Sequence, residues 1–176
     1  MPEPNLVIGR TLFTLMGVPW KWTSRAWQFI PSRVAFCMVI ALLSLQNENV
    51  ATRLLYALLF ALLLLFSQFF HIVGHTLGGK FVGAPMNENL IVENKIWTRY
   101  DDNSRELPRR VHLGRALGGP LLSLIIGLIA LAAWNFFGGY LLAFLATVNL
   151  LVVGFGILLP FPNVDGQVIW RELRRK

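Results

Sequence analysis

Apolar runs such as residues 54–66 and 121–133 are far longer than a strand in a soluble core requires, and they dominate what this chain can become. A stretch of roughly 20 apolar residues is the length needed to cross a hydrocarbon layer as a helix. Inside that layer every backbone polar group must be satisfied internally, which leaves helices as the spanning element for such runs. With 55% of its 176 residues hydrophobic and only 14% charged, the chain reads as a polytopic membrane protein. The expected fold is all-α with four transmembrane helices, at about residues 34–45, 54–77, 117–137 and 140–161. Residues 1–33 form an N-terminal cytoplasmic or interfacial segment, and 34–176 the membrane domain. The first span is short, bounded by Pro31 and Arg33, so it tilts or draws on Trp27 and Ile30 at the interface. The third and fourth are joined by a tight Gly138-Gly139 turn.

The distribution of charge orients the spans. Of the 16 Lys and Arg, only Arg53 lies on one side of the bilayer when the four spans alternate, and all the rest fall on the other. The positive-inside rule then places both termini and the central loop, 78–116, in the cytoplasm of a bacterial-type inner or cell membrane. Trp20, Trp22 and Trp27, interleaved with Lys21 and Arg25, read as an interfacial belt. Arg109, Arg110 and Arg115 meet anionic headgroups before the third span, and His112 sits among them at the interface. The net charge of +7 is therefore membrane anchoring, and nucleic acid is not a partner. The single Cys37 forms no intrachain disulfide and is a packing residue. Within the loop, Leu90-Ile91-Val92 and Ile96-Trp97-Thr98-Arg99-Tyr100 have strand composition around Glu93-Asn94-Lys95, a small β-hairpin. Asp101-Asp102-Asn103-Ser104 is a loop by its turn chemistry.

Two histidines carry the chemical interest. His71 and His75, four residues apart near the end of the second run, share one helix face about a turn apart. Imidazoles so spaced can grip one metal ion, as in the H-E-x-x-H pattern, where the glutamate is the general base. Here Ile72 occupies the glutamate position. His71 lies about 17 residues into its span, roughly 25 Å along the axis, in the cytoplasmic third. The fourth span ends in Pro160-Phe161-Pro162-Asn163-Val164-Asp165-Gly166, near the same boundary. The prolines interrupt the helix there, which only a protein-lined or watery cavity tolerates. Two imidazoles, one carboxylate and an open position make a catalytic-type zinc site. A blander arrangement also fits the residues. The histidines bond to Ser67, Gln68 or backbone carbonyls, and Asp165 caps a helix beginning near Gln167.

At these residues the chain resembles the site-2 protease family of intramembrane zinc proteases. The resemblance rests on three motifs in order: His71-Ile72-Val73-Gly74-His75, then Gly118-Gly119-Pro120-Leu121-Leu122-Ser123, then Ile157-Leu158-Leu159-Pro160-Phe161-Pro162-Asn163-Val164-Asp165-Gly166. It covers about residues 54–170 and implies a three-helix core within the four spans, with His71, His75 and Asp165 as zinc ligands. The departures fall where the family does chemistry. Ile72 replaces the catalytic glutamate, and Ser123 and Ile157 stand where the family has asparagines suited to substrate or oxyanion contact. Losing a general base costs about 10²–10⁴ in rate, and losing an oxyanion donor about 10²–10³ more. Glu88, Glu93 and Glu106 are the remaining loop candidates for a base, and spacing recommends none of them. Gly118, Gly119 and Gly127 serve close helix packing.

The sequence therefore points to a degenerate member, a pseudo-protease with no catalytic residue, acting as an accessory or structural subunit among other membrane protein subunits. An active zinc metalloendopeptidase cutting membrane-embedded substrates with a non-standard base is the first alternative. A pigment- or haem-binding subunit using His71 or His75 singly is the second, since a pair on one helix face cannot supply both axial ligands of one macrocycle.

Overall fold

The computed structural model describes residues 8–100, 107–162 and 164–175; the loop expected at 101–104 and the candidate base Glu106 lie outside them. It has five α-helices and four strands: β1 (Ile8–Leu15), β2 (Val18–Thr23), α1 (Phe29–Ser44), α2 (Val50–Phe81), β3 (Glu88–Ile91), β4 (Ile96–Arg99), α3 (Arg109–Phe137), α4 (Tyr140–Thr147) and α5 (Asp165–Arg174). Three helical segments, Ala26–Ser44, Val50–Phe81 and Arg109–Phe137, are long and apolar enough to cross a membrane. The fourth apolar segment, Tyr140–Gly156, is shorter. It opens after Gly138 and Gly139, whose φ angles of 66° and 90° suit residues without a Cβ. It then widens into a π-helix over Val148–Gly156, and its helical stretch ends just before Pro160.

α1 begins five residues earlier than expected. Pro31 sits in its first turn, where a missing N–H costs nothing. Arg33 does not end the membrane segment; it is buried. Its guanidinium bonds Gln68 Oε1 (3.1 Å), the Phe29 carbonyl (3.3 Å), Ser32 Oγ (2.7 Å) and the Asn94 carbonyl, and lies 4.0 Å from the Phe29 ring centroid. One side chain thus joins α1, α2 and the β3–β4 turn, and its charge is compensated by acceptors on three elements.

The helices pack through small residues. Gly74 of α2 meets Gly118 of α3 so closely that a Cβ at Gly74 would stand 2.8 Å from the Gly118 carbonyl carbon. Cys37, Ala41, Ala57 and Ala61 let α1 and α2 approach, with Phe60 stacked on Phe144 at 4.2 Å. The expectation of packing for Cys37, Gly118 and Gly119 agrees with this arrangement.

The N-terminal segment requires a correction. Its residues form two strands of one four-stranded sheet, ordered β1-β2-β3-β4, with β2 parallel to β3 and the other pairs antiparallel. The expected hairpin is the β3–β4 half of that sheet. Alternation along β2 sends Trp20 and Trp22 to one face and Lys21 to the other. Trp20 is only 2% exposed and its ring sits 5.3 Å from Phe69 of α2, so it is core, whereas Trp27 is 64% exposed. The sheet is thereby fixed against α2 beside Ile72, Ala26 and Phe29. Lys21 pairs with the buried Glu88 at 2.6 Å rather than with a headgroup. Arg115 is also buried, its guanidinium 3.8 Å from the Tyr100 ring centroid and its Nε donating to the Ala84 carbonyl at 2.9 Å. His112 is buried too, not interfacial.

Candidate metal centre

α2 carries His71 and His75 on one face, and both are buried. The break after α4 brings the chain back so that α5 starts at Asp165 itself. Asp165 makes no capping hydrogen bond there; it is the first residue of α5 and its carboxylate points to the histidines. His71 Nε2 and His75 Nε2 lie 3.0 Å apart, and each is 3.2 Å from Asp165 Oδ2. Helix α3 roofs this triangle: a Cβ on Gly119 would stand 2.7 Å from His75 Cε1 and 2.8 Å from His71 Cε1.

The other ring nitrogens are also engaged. His75 Nδ1 is 2.7 Å from the Arg115 carbonyl oxygen. A carbonyl only accepts, so Nδ1 carries the proton and the neutral ring presents a lone pair at Nε2. His71 Nδ1 is 3.1 Å from Ser123 Oγ, a hydroxyl that can accept in the same way. His75 Nε2 and Asp165 Oδ2 are then two acceptors 3.2 Å apart. Acceptors repel at that range unless a proton or a cation lies between them. Burial works against the charge of Asp165, yet the adjoining imidazoles outweigh it and hold the carboxyl well below the usual carboxylate range.

This donor set fits a divalent metal. Zinc bonds N and O at about 2.0–2.2 Å, which in a tetrahedron separates ligand atoms by about 3.4 Å. The observed 3.0–3.2 Å triangle is close to that spacing. Each histidine has the outer partner that metal-bound imidazoles use to fix tautomer and orientation. His71, His75 and Asp165 are together the one group of three or more potential ligands among the described residues. Because both Nε2 atoms converge on one point, with Gly119 against them, neither faces a flat macrocycle, and the pigment and haem reading loses its geometric basis.

A cavity of about 640 Å³ opens beside the triangle. Ile72, Leu64, Val152 and Ile157 give it apolar walls, and Ile96, Trp97 and Thr98 of β4 close one side. Among its described lining residues Asp165 is the sole carboxylate. Glu88 is held by Lys21 at 2.6 Å and Arg99 at 3.1 Å, and Glu93 by Arg25 at 2.7 Å. Ser123, expected only as a departure from asparagine, is instead the partner of His71. Ser67 and Gln68 are not the histidines' partners; Ser67 Oγ accepts from Asn149 Nδ2 at 2.7 Å and Gln68 accepts from Arg33.

No family model matches the chain. It is 29% identical over 170 residues to a zinc metalloprotease of Methanocaldococcus jannaschii, an alignment covering 94% of this chain and 45% of that protein. The chain thus spans about half the length of that relative. The solved structure of a site-2 protease from the same organism superposes with a TM-score of 0.64 at 26% identity, covering 93% of this chain and 70% of that one. The metalloprotease relative is a zinc enzyme, and the His-His-Asp group here could hold the same metal. With its fold, its sequence and its order of motifs in agreement, this chain is similar to the site-2 proteases, and its long apolar helices suit an integral membrane protein.

Proposed function

We propose that this chain is a pseudo-protease: it holds zinc on His71, His75 and Asp165 but does not hydrolyse peptides, and it acts by binding, as an accessory subunit of a larger membrane complex. The absence of any carboxylate other than Asp165 among the cavity's described lining carries the reading. A zinc ion, when bound, would polarise a carbonyl and acidify a water. A water on the cavity side of such an ion would meet Ile72, 6% exposed and packed with Trp20 and Phe29. Among the described lining residues Asp165 is the one carboxylate that could accept its proton, and Asp165 Oδ2 is committed to the imidazoles. Ser123 is fully buried against His71 and is not among the cavity's lining residues, so its hydroxyl is not placed to donate to an oxyanion. What remains is an apolar groove with a cation-binding floor, suited to holding a helix or strand of a partner rather than cutting it. The charge asymmetry supports cytoplasmic termini in a bacterial-type membrane, with residues 34–176 as the membrane domain.

Copurification in mild detergent tests the subunit role. A membrane protein should travel with the native chain at fixed stoichiometry and be lost when the groove is filled by Val152→Trp, an exposed lining position. A monodisperse, partnerless chain from native membranes would overturn it. Metal analysis should give one zinc per chain, lost in His75→Ala.

The alternative of an active zinc protease draws on the relative being a zinc metalloprotease. It requires a base from residues other than those described as lining the cavity.

A further inference from the structure

A second cavity, of about 820 Å³, lies where α5 meets the start of α3, lined by His112, Trp170, Arg171, Glu172, Arg174 and Arg175 among others. We propose that it binds the headgroup of an anionic phospholipid and thereby braces α5, the helix that begins at Asp165. The charge of the lining is unbalanced: three exposed guanidinium groups surround one carboxylate. Glu172 is 2% exposed and is satisfied from within, 3.0 Å from Arg171 Nε and 3.5 Å from Arg175 Nη1. One buried carboxylate cannot neutralise three arginines, so the cavity retains an excess of positive charge facing outward. Arg109 and Arg110, exposed at the first turn of α3, add to it from the same end of the bundle.

The occupant follows from what surrounds the charge. Trp170 and Leu173 of α5 are 43% and 49% exposed, and Leu159 and Phe161 just before it 49% and 59%. Apolar side chains beside arginines on one short helix are what a segment at the lipid–water boundary presents. Trp170 Nε1 donates to the Leu158 carbonyl at 3.0 Å, which fixes the indole at that boundary. A free anion would use the guanidiniums and leave these apolar groups in water; a phospholipid uses both. Guanidinium groups bind phosphate oxygens in a paired geometry, and a zwitterionic headgroup brings no net charge to match.

The full chain in neutral detergent, titrated with phosphatidylglycerol or phosphatidylcholine and read by native mass spectrometry, tests this. Phosphatidylglycerol should be retained selectively. Each arginine near an anionic surface is worth about fivefold in affinity, so combining Arg171→Gln, Arg174→Gln and Arg175→Gln should weaken retention by about 100-fold. The corresponding triple Arg→Lys variant, which keeps the charge, should retain most of it. Amide exchange over 165–174 should slow with phosphatidylglycerol in the native chain and the Lys variant, and not in the Gln variant. Equal retention of the two lipids, or of one lipid by native and Gln variants, would overturn the site. Slowing by inorganic phosphate alone would assign the cavity to a free anion and overturn the lipid. Retention without slower exchange would overturn the bracing. None of these readouts needs a metal.

Discussion

Ser123→Ala removes one oxygen, 3.1 Å from His71 Nδ1, at a position with no exposure to solvent. When Nε2 binds a metal, the neutral His71 ring keeps its proton on Nδ1, and the Ser123 hydroxyl accepts it at 3.1 Å, with the Gly119 backbone also in reach. Without the hydroxyl a buried N–H loses an acceptor, a cost of up to about 1–3 kcal/mol, equivalent to at most roughly 5- to 150-fold in affinity. The loss measured when the outer partner of a metal ligand is removed is about 10–100-fold, so the two routes agree. The metal-free protein escapes much of this cost, because His71 can place its proton on Nε2 and donate to Asp165 Oδ2, 3.2 Å away. The substitution should therefore weaken zinc binding by about 10–100-fold, measured by chelator competition, while the melting temperature of the metal-free chain barely moves. Zinc affinity unchanged within about twofold would refute the assignment of Ser123 as the partner of a metal-bound His71.

Three further outcomes follow. Gly119→Ala places a methyl 2.7 Å from His75 Cε1 and 2.8 Å from His71 Cε1; by prising the rings apart it should cost about 1–3 kcal/mol and lower zinc affinity at least tenfold, with helical circular dichroism unchanged. Arg33→Met leaves Gln68 Oε1 and the Asn94 carbonyl without their donor; it should destabilise the chain by about 2–4 kcal/mol, read as a lowered melting temperature and faster proteolysis of the β3–β4 turn. Burial pushes the carboxyl of Glu172 up, but the Arg171 hydrogen bond, His112 and Arg175 hold it below the ordinary value of 4.5. A group depressed on folding stabilises above its unfolded value and loses that contribution as pH falls through its folded one. Amide exchange in α5 should accordingly differ between native and Glu172→Gln chains at neutral pH and converge in acid below 4.5.

The membrane class, the helices and the grouping of His71, His75 and Asp165 are legible because each rests on a local pattern. Apolar length marks α2 and α3, i,i+4 spacing puts His71 and His75 on one face, and prolines mark the break before Asp165. The sheet was half legible. β3 and β4 are neighbours joined by Glu93-Asn94-Lys95, but the β2–β3 pairing joins segments separated by two membrane helices. Trp20-Lys21-Trp22 alternates as a strand with one buried face, a period-2 signal that is the same in sequence as an aromatic belt. Sequence places Arg33 at the limit of a span, His112 at the interface and Arg115 at headgroups, because charge near a span end is normally solvated. What engages Arg33 and Arg115 instead is a set of distant acceptors and a ring: Gln68 and Asn94 for the first, Ala84 and Tyr100 for the second. The tautomer-fixing contacts of Ser123 and the Arg115 carbonyl depend on how α3 crosses α2 at Gly74 and Gly118, and no spacing in the chain encodes that.

Cleavage of a membrane-embedded reporter by the zinc-loaded native chain, beside Ile72→Glu and His75→Ala, tests the central claim most directly. The account predicts no turnover from the native chain and a gain from Ile72→Glu of at most the 10²–10⁴ that a general base supplies, since Ser123 and Ile157 still offer no amide to an oxyanion. Turnover by the native chain that His75→Ala abolishes would contradict it.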